Sequence, residues 1–401
     1  MSAVRSPALA CFGATPRFAR RLPRGQRRWP EWPAFQALFQ DIFDRQYYTN
    51  HGPLAQRLEA RLAAELGVAH AMCATNEYIA LALCAQALGW RGPVVVPALA
   101  PLAAVQPLDW SGATPVFCDV DAATGLLDLA NVADLLKKQP AVGILAVNPW
   151  GDACDLAGLE RLARDAGISL LCDSSQGYGS RVHGRTLGSF GDAAVISLHA
   201  DQIVGAGEGG VICTRDDALA AYIRNIRSNY GMGPPVPVPM TSNGRMSEGQ
   251  AGLALHALDR CSDAIRDNQL RLRWYEEGLA GIPGLEVRRA RGVTQCNGQN
   301  LIVQVHEERF GLARDRLLAL LWAENIDAGR GFGSPAGQLA CEIYGHALAD
   351  FPAAHACAAR SLELPMHHAL DEAGVDAIID VLRLAHHHAG EIAASGPGAQ
   401  S

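Results

Sequence analysis

The stretch Ser197-Leu-His-Ala-Asp-Gln202-Ile-Val-Gly-Ala-Gly-Glu-Gly-Gly210 begins where an apolar run, residues 193–198, comes to its end. Such a run is typical of a buried strand, so the polar residues after it are expected at the strand's carboxyl end. Earlier apolar runs alternate with segments of helical periodicity, such as 54–66 and 156–165, which predicts a mainly parallel sheet covered by helices on both faces. The earlier strand-like runs are 70–73, 94–96, 115–118, 142–147 and 168–172. Ligands of such sheets bind at the carboxyl ends of the strands, where we expect the functional residues.

Composition places the chain among ordinary globular proteins. It has 401 residues, of which 49% are apolar and 19% are charged, with a formal net charge of −7. This acidic balance argues against a nucleic-acid partner, and the absence of a long apolar run argues against a membrane span. The eleven cysteines include no Cys-x-x-Cys pair, which favours reduced, buried thiols in a cytoplasmic protein. We expect no metal site, and we interpret the run His386-His-His388 as surface charge.

The sequence predicts four parts. Residues 1–30 carry seven arginines and no acidic residue, and because they lack an amphipathic period we interpret them as a basic flexible arm rather than a transit peptide. Residues 31–280 are predicted to form a large domain that ends in a long helix over 247–279. Residues 281–389 are predicted to form a smaller α+β domain, with strands over 285–287 and 301–305 and helices over 313–324 and 375–386. The last residues, 390–401, are rich in alanine, serine and glycine and are expected to form a disordered tail.

Five motifs occur in an order that is shared with one enzyme family. They are Gly112-Ala-Thr-Pro-Val-Phe-Cys-Asp-Val-Asp121, Cys172-Asp-Ser-Ser-Gln-Gly-Tyr-Gly179, Gly188-Ser-Phe-Gly-Asp192, Gly207-Glu-Gly-Gly210 and Asn243-Gly-Arg-Met-Ser-Glu-Gly-Gln250. From about residue 32 to about residue 386 the chain resembles the DegT/StrS family of pyridoxal-phosphate enzymes, which install amino groups on nucleotide-linked keto-sugars. The resemblance implies an α/β protein of fold type I, with a mainly parallel seven-stranded sheet in the large domain and a smaller C-terminal α+β domain. It also implies a homodimer whose sites lie at the subunit interface.

Four side chains match the cofactor contacts of this family. The resemblance assigns Asp173 to the pyridinium nitrogen of the cofactor and Gln176 to its ring hydroxyl. It assigns Ser197 to the phosphate, and Asn243 to the phosphate in the neighbouring subunit's site. Asp173, Gln176 and Ser197 are equally compatible with a purely structural role at strand ends.

The lysine of the family is replaced. Gln202 stands where the family has the lysine that forms the Schiff base, and the only lysines of the chain are Lys137 and Lys138. A carboxamide nitrogen can neither form that bond nor carry the proton afterwards, because its lone pair is delocalised into the carbonyl group.

Three further positions depart from the family pattern. Glu77 and Tyr78 replace a Gly-Thr pair that holds the cofactor phosphate at a helix start. A carboxylate about 4 Å from a phosphate charge would be repelled by roughly 4 kcal/mol, although a Glu77 that points to solvent would be harmless at a helix start. We expect Tyr78 to fill the phosphate cup. Pro101 replaces the aromatic residue that stacks on the cofactor ring, a loss of about 0.5 to 1.5 kcal/mol.

The sequence therefore predicts a family member that has lost transamination and binds no cofactor. One interpretation is a pseudoenzyme subunit, either in a homodimer or in a heterodimer with an active homologue. Another is cofactor-independent chemistry on a small polar or sugar-nucleotide substrate, with Asp173, His199 and Tyr78 as catalytic candidates. His199 is also compatible with a structural position beneath the site. The alternative is a sugar aminotransferase or dehydratase that uses pyridoxal or pyridoxamine phosphate.

Overall fold

The computed structural model describes residues 9–26, 28–228, 233–289, 292–332 and 339–394. Its strands are β1 (His70–Ala74), β2 (Gly92–Pro97), β3 (Ala113–Cys118), β4 (Gly143–Val147), β5 (Ser169–Asp173), β6 (Arg181–Val182), β7 (Arg185–Thr186), β8 (Ala193–Ser197), β9 (Gly210–Thr214), β10 (Leu285–Val287), β11 (Val293–Gln295), β12 (Leu301–Val305), β13 (Gly329–Arg330) and β14 (Ser361–Leu364). Its α-helices are α1 (Trp32–Arg45), α2 (Pro53–Leu66), α3 (Glu77–Ala87), α4 (Leu102–Val105), α5 (Leu129–Lys138), α6 (Leu156–Ala166), α7 (Asp217–Arg227), α8 (Glu248–Asp259), α9 (Cys261–Leu279), α10 (Glu307–Phe310), α11 (Arg314–Ala323), α12 (Ala340–Ile343), α13 (Pro352–Arg360), α14 (Glu372–His387) and α15 (Ala389–Ala394).

A seven-stranded sheet forms the centre of the large domain, in the order β1-β9-β8-β5-β4-β2-β3. All neighbouring pairs from β8 to β3 are parallel, whereas β9 runs antiparallel to β8 and β1. The predicted mainly parallel sheet is therefore confirmed. Side chains of β4 and β8 are buried at every position, because α2, α6 and α8 cover one face of the sheet and α3, α4 and α7 cover the other.

The long helix predicted over 247–279 is instead two helices. Arg260, with φ −110° and ψ 1°, leaves helical geometry between α8 and α9. α8 packs against α1 and α2 in the large domain, whereas α9 packs against α14 near the C-terminus. No glycine or proline marks this break. It follows from packing against two different partners, which hydrophobic periodicity does not show.

The C-terminal part contains an antiparallel four-stranded sheet in the order β10-β12-β14-β13. Together with α9, α11 and α14 this sheet encloses a hydrophobic core of its own, separate from the two cores on the faces of the seven-stranded sheet. The strands predicted over 285–287 and 301–305 are confirmed as β10 and β12, and the helices predicted over 313–324 and 375–386 as α11 and α14. The domain boundary at residue 280 stays a prediction.

The N-terminal segment lies against this small domain. The buried carboxylate of Glu324 accepts hydrogen bonds from the backbone N–H groups of Ala10 and Arg17, at 2.6 and 2.7 Å. Residues 9–26 are therefore packed rather than free, in contrast to the flexible arm expected for 1–30.

The C-terminal end shows a similar contrast. Helix α15 occupies the first part of the expected disordered tail, and its Ile392 is buried. Residues 1–8 and 27 of the predicted arm and 395–401 of the predicted tail lie outside the described residues.

The helices and the cysteines agree with the expectations from composition. Within the described ranges no helix is both long and apolar enough to cross a bilayer. All eleven cysteines are free thiols and nine of them are buried. Burial raises the pKa of the Cys213 thiol to about 12, which disfavours the reactive thiolate.

Candidate active site

A pocket of about 230 Å³ opens where the parallel strands end, and we call it the strand-end pocket. The carboxyl ends of β4 and β5 reach it directly, while the start of α3 and the loop after β8 form its sides. Phe332 contributes to its wall from the small domain. Its polar side chains are Glu77, Asn148, Asp173, Ser175, Gln176 and Gln202. The pocket thus lies at the sheet edge where the parallel topology predicts a ligand site.

Asp173 is the buried acid of this pocket. It is the last residue of β5 and is only 6% exposed. Its Oδ1 accepts hydrogen bonds from the N–H and the Oγ–H of Ser175, at 3.1 and 2.5 Å. Burial, followed by the negative charge of Glu77, raises the pKa of Asp173 to about 6 despite these hydrogen bonds. The carboxyl group can therefore gain or lose a proton near neutral pH.

Glu77 brings a second carboxylate to the pocket, at the first position of α3. The start of this helix packs closely against Gly210, the first residue of β9. A Cβ at this position would lie only 2.3 Å from the carbonyl oxygen of Asn76. Asn76 caps the helix by accepting a hydrogen bond from the N–H of Ile79 at 2.9 Å. A helix start favours an anion, and here the Glu77 carboxylate supplies that negative charge.

Gln176 fixes the shape of the pocket wall. Its Oε1 accepts a 2.6 Å hydrogen bond from the backbone N–H of Trp150. Trp150 has a φ of 60°, in the left-handed region that residues other than glycine seldom adopt. Its ring lies edge-on to Phe332 at a centroid distance of 4.5 Å, which joins the large domain to the small domain at the pocket.

Gln202 lines the pocket from the loop after β8. Its Oε1 accepts a 2.7 Å hydrogen bond from Nε2 of Gln299, a buried residue of the small domain. Gln299 in turn accepts a hydrogen bond from the N–H of Ile203. The side chain of Gln202 therefore links the loop to the small domain, and the end that it can offer to a ligand is an amide N–H donor rather than a base.

Ser197 and His199 lie in the same loop region but outside the pocket lining. The buried Oγ of Ser197 accepts a hydrogen bond from the N–H of His199 at 3.2 Å. The half-exposed imidazole of His199 is 3.9 Å from the carboxylates of Asp201 and Glu208. Among the described residues the catalytic candidates His199 and Asp173 form no hydrogen bond or ion pair with each other, because the imidazole lies among these outer carboxylates.

Tyr78 and Asn243 also lie away from the pocket. The ring of Tyr78 packs edge-on to Trp110 at 5.8 Å and Tyr78 does not line the pocket, so its filling of the phosphate cup stays a prediction. Burial, followed by the charge of Asp109, raises the pKa of Tyr78, which disfavours its use as a base. Asn243 is exposed and forms a backbone bridge with Ser228, so its expected reach into a neighbouring subunit stays a prediction.

The family assignment follows from comparison with known proteins. Residues 33–383 match the model of the DegT/DnrJ/EryC1/StrS aminotransferase family. The chain belongs to this family. Its members are pyridoxal-phosphate-dependent sugar aminotransferases, so the family and the fold type expected from the sequence are confirmed.

Individual relatives match this family member along most of its length. It is 30% identical to the GDP-perosamine synthase of Caulobacter vibrioides, over 85% of this chain and 92% of that protein. It is 27% identical to the dTDP-4-amino-4,6-dideoxy-D-glucose transaminase of Shigella dysenteriae, over 89% of this chain and 97% of that protein. Among solved structures, DesI in the presence of its TDP-sugar product matches with a TM-score of 0.89 and 34% identity, covering 96% of this chain and 98% of DesI.

The strand-end pocket fits the family's cofactor only in part. The Asp173 carboxylate fits a protonated ring nitrogen, because a cation beside it would offset the cost of its buried charge. Gln202 offers no amine for a covalent bond, and Glu77 places a negative charge at the start of α3. The residues present therefore do not fit a pyridoxal phosphate that is bound through a lysine, with its phosphate at this helix.

Sequence reasoning missed Trp150, Gln299 and Phe332. The sequence does contain a signal for Trp150. The segment Asn148-Pro-Trp-Gly151 immediately follows β4, so it lies at the same edge of the sheet as Asp173 at the end of β5. Gln299 and Phe332 belong to the small domain, and no sequence pattern shows which of its side chains meet the large domain.

Proposed function

We propose that this chain is a DegT/StrS-family protein that binds a sugar nucleotide and does not carry out lysine-dependent transamination. One observation carries the proposal. Lys137 and Lys138, the only lysines, are exposed at the end of α5, just before β4 begins. They therefore lie at the edge of the sheet opposite the strand-end pocket, so neither lysine can offer its amine to a ligand bound there.

The charge of the pocket supports a ligand with an amino group. Glu77 and Asp173 both present carboxyl groups to it. A protonated amine about 4 Å from one carboxylate gains roughly 4 kcal/mol at an effective dielectric constant of 20, before desolvation is counted. A phosphate in the same place would be repelled by a similar amount. We therefore infer that an amino-sugar nucleotide binds better than the corresponding keto-sugar nucleotide.

Two roles are compatible with such binding. The chain can serve as a non-catalytic subunit, in a homodimer or in a heterodimer with a lysine-bearing homologue whose site receives the exposed Asn243. It can also catalyse proton transfer without a cofactor, because the pKa of Asp173 near neutrality suits a general acid or base. We place the protein in the cytoplasm, which is compatible with its free thiols.

A second candidate is transamination or dehydration with pyridoxal or pyridoxamine phosphate held without a covalent bond. The similarity to GDP-perosamine synthase and to DesI favours this candidate. The side chain at position 202 opposes it, since an amide cannot move the proton that such reactions require.

Cofactor absorbance separates the two candidates, and reductive labelling accounts for any cofactor attached to the amines outside the strand-end pocket. The chain has two lysines and one N-terminal amine, so each site labelled by pyridoxal phosphate and borohydride can be located by peptide mass. We expect labelling only at these three amines and no absorbance band from a cofactor in the strand-end pocket. A tightly bound cofactor with its own absorbance band would contradict the first proposal and support the second.

Restoring the lysine tests the electrostatic part of the proposal. We expect that Gln202→Lys alone gives no Schiff-base absorbance, because the carboxylate of Glu77 still repels the phosphate. Adding Glu77→Gly should allow the absorbance band to form. Gln202→Leu, which also breaks the hydrogen bond to Gln299, is the matched control. A yellow Gln202→Lys protein would show that the phosphate position is intact.

A direct binding measurement tests the ligand class. Calorimetric titration with an amino-sugar nucleotide and with its keto form should show tighter binding of the amino form. Glu77→Gln should reduce this preference. Equal binding of both forms, or no binding of either, would refute the proposed ligand.

A further inference from the structure

A second cavity, of about 190 Å³, lies on the other side of the loop after β8. Gln202 lines the strand-end pocket, whereas the next residue, Ile203, lines this cavity. We call it the basic pocket. Its charged and imidazole side chains are Arg28, Glu31, His256, Arg260 and His368. They come from the N-terminal segment, from α8 and its junction with α9, and from the loop after β14.

Unsatisfied nitrogen atoms distinguish this cavity. Nε and Nη2 of Arg28, Nε2 of His256 and Nδ1 of His368 are all buried, and none has a hydrogen-bond partner among the described residues. Buried polar groups of folded proteins almost always have such a partner. Residues from three separate parts of the chain that carry unpaired buried nitrogens thus line one cavity, and such donors suit a ligand rich in acceptor oxygens.

The electrostatic environment selects an anion. Burial, followed by the positive charges of Arg28 and Arg271, lowers the pKa of His368, so the local field already disfavours further positive charge. Two carboxylates oppose this preference: Glu31 lines the same cavity, and Oδ2 of Asp267, which is 42% exposed, lies 3.7 Å from Nη2 of Arg28. That distance exceeds a hydrogen bond, and solvent screens the charge of an exposed carboxylate.

We propose that the basic pocket binds a phosphate group. The planar guanidinium of Arg28 offers two N–H groups to two phosphate oxygens, and the imidazoles of His256 and His368 each offer one more. Arg260, exposed at the junction of α8 and α9, adds positive charge at the rim. This site is separate from the strand-end pocket and does not depend on the function proposed for it.

The test uses the full-length protein and inorganic phosphate. Phosphate should raise the melting temperature more than chloride does at equal ionic strength, and titration should give a measurable Kd. Arg28→Gln should raise that Kd at least about tenfold, since a charge-assisted hydrogen bond is lost. His256→Ala should weaken binding in the same direction, and Arg28→Lys should recover part of the affinity. Arg57→Gln, on the exposed face of α2, is the matched control and should leave the Kd unchanged.

Comparison with nucleotides identifies the source of the phosphate. If a nucleoside diphosphate binds at least about tenfold tighter than phosphate and loses this affinity in Arg28→Gln, the pocket holds the diphosphate of a nucleotide. Equal affinities identify free phosphate as the ligand. The proposal is overturned if wild-type protein shows no specific response to about 10 mM phosphate. It is also overturned if Arg28→Gln and His256→Ala, shown to be folded by their unfolding in chloride, bind phosphate as wild-type protein does.

Discussion

Replacing Asp173 by asparagine should make this protein more stable at neutral pH. The pKa of Asp173 is raised from 3.8 to about 6, first by burial and then by the charge of Glu77. The folded state therefore disfavours the ionised carboxylate relative to the unfolded chain. Asparagine has nearly the same shape, keeps an oxygen that can accept from Ser175 and carries no charge.

The size and the pH dependence of this effect follow from the two pKa values. The difference between 3.8 and about 6 corresponds to about 3 kcal/mol. Above about pH 6 the carboxyl group is ionised in both states, so the folded protein bears this cost in full. Between about pH 6 and pH 4 the folded protein holds a proton that the unfolded chain has released, so stability rises as pH falls. Asp173→Asn should therefore add up to about 3 kcal/mol to the free energy of unfolding near pH 7.5 and almost nothing near pH 4.

Urea unfolding at a series of pH values, followed by tryptophan fluorescence and circular dichroism, measures this difference. Glu77→Gln should give a smaller gain with the same sign, because the burial of Asp173 remains. Asp165→Asn, on the exposed surface of α6, is the control and should change stability by less than about 0.5 kcal/mol. A loss of stability in Asp173→Asn at every pH, or a gain that does not shrink below pH 6, would refute this account of the pocket.

Three further changes test the packing that positions the site. Glu248→Ala should lower the free energy of unfolding, measured in urea, by about 2 to 4 kcal/mol. The fully buried carboxylate of Glu248 accepts hydrogen bonds at 3.0 and 2.9 Å from two N–H groups in the first turn of α2. A loss below about 1 kcal/mol would argue that these hydrogen bonds do not stabilise the fold. Arg227→Met should lower the free energy of unfolding by about 3 to 5 kcal/mol, because it leaves the buried carboxylate of Glu59 without the guanidinium that lies 2.7 Å from it. Adding Glu59→Leu should restore part of that stability, and if it restores none, the ion pair is not the cause of the loss. Gly210→Ala should displace the start of α3, since its Cβ would lie 2.3 Å from the carbonyl oxygen of Asn76; unchanged hydrogen exchange in the first turn of α3 would contradict this.

The sheet and the polar residues at its edge were predictable from the sequence. Asp173, Gln176 and Gln202 stand directly after buried apolar runs, and the structure brings all three to one pocket. The reason is local: an apolar run of strand length indicates a buried strand, and parallel strands place their carboxyl ends together. The break between α8 and α9 was not predictable, because Arg260 carries no breaking signal of its own.

The roles of Glu77 and Tyr78 show where sequence reasoning stops. They are consecutive residues at the start of α3, and a helix turns by about 100° per residue, so only one of the two can face the pocket. The close packing of α3 against Gly210 directs Glu77 toward Asp173 and Tyr78 toward Trp110. The sequence identified both as departures from the family pattern, but it did not show that Glu77 lines the strand-end pocket while Tyr78 packs against Trp110.

The sequence by itself determined the family, the order of strands and helices, and the absence of a lysine from position 202. These properties depend on local periodicity, on motif order and on residue identity, none of which requires knowledge of distant contacts. Only the tertiary structure decided that two carboxylates share the strand-end pocket, that His199 lies outside it, and that Arg28 meets His256 and His368 in a second cavity. Burial and electrostatic interaction depend on how segments far apart in the sequence pack together, and that packing is what gives Asp173 its raised pKa and the basic pocket its unpaired nitrogens.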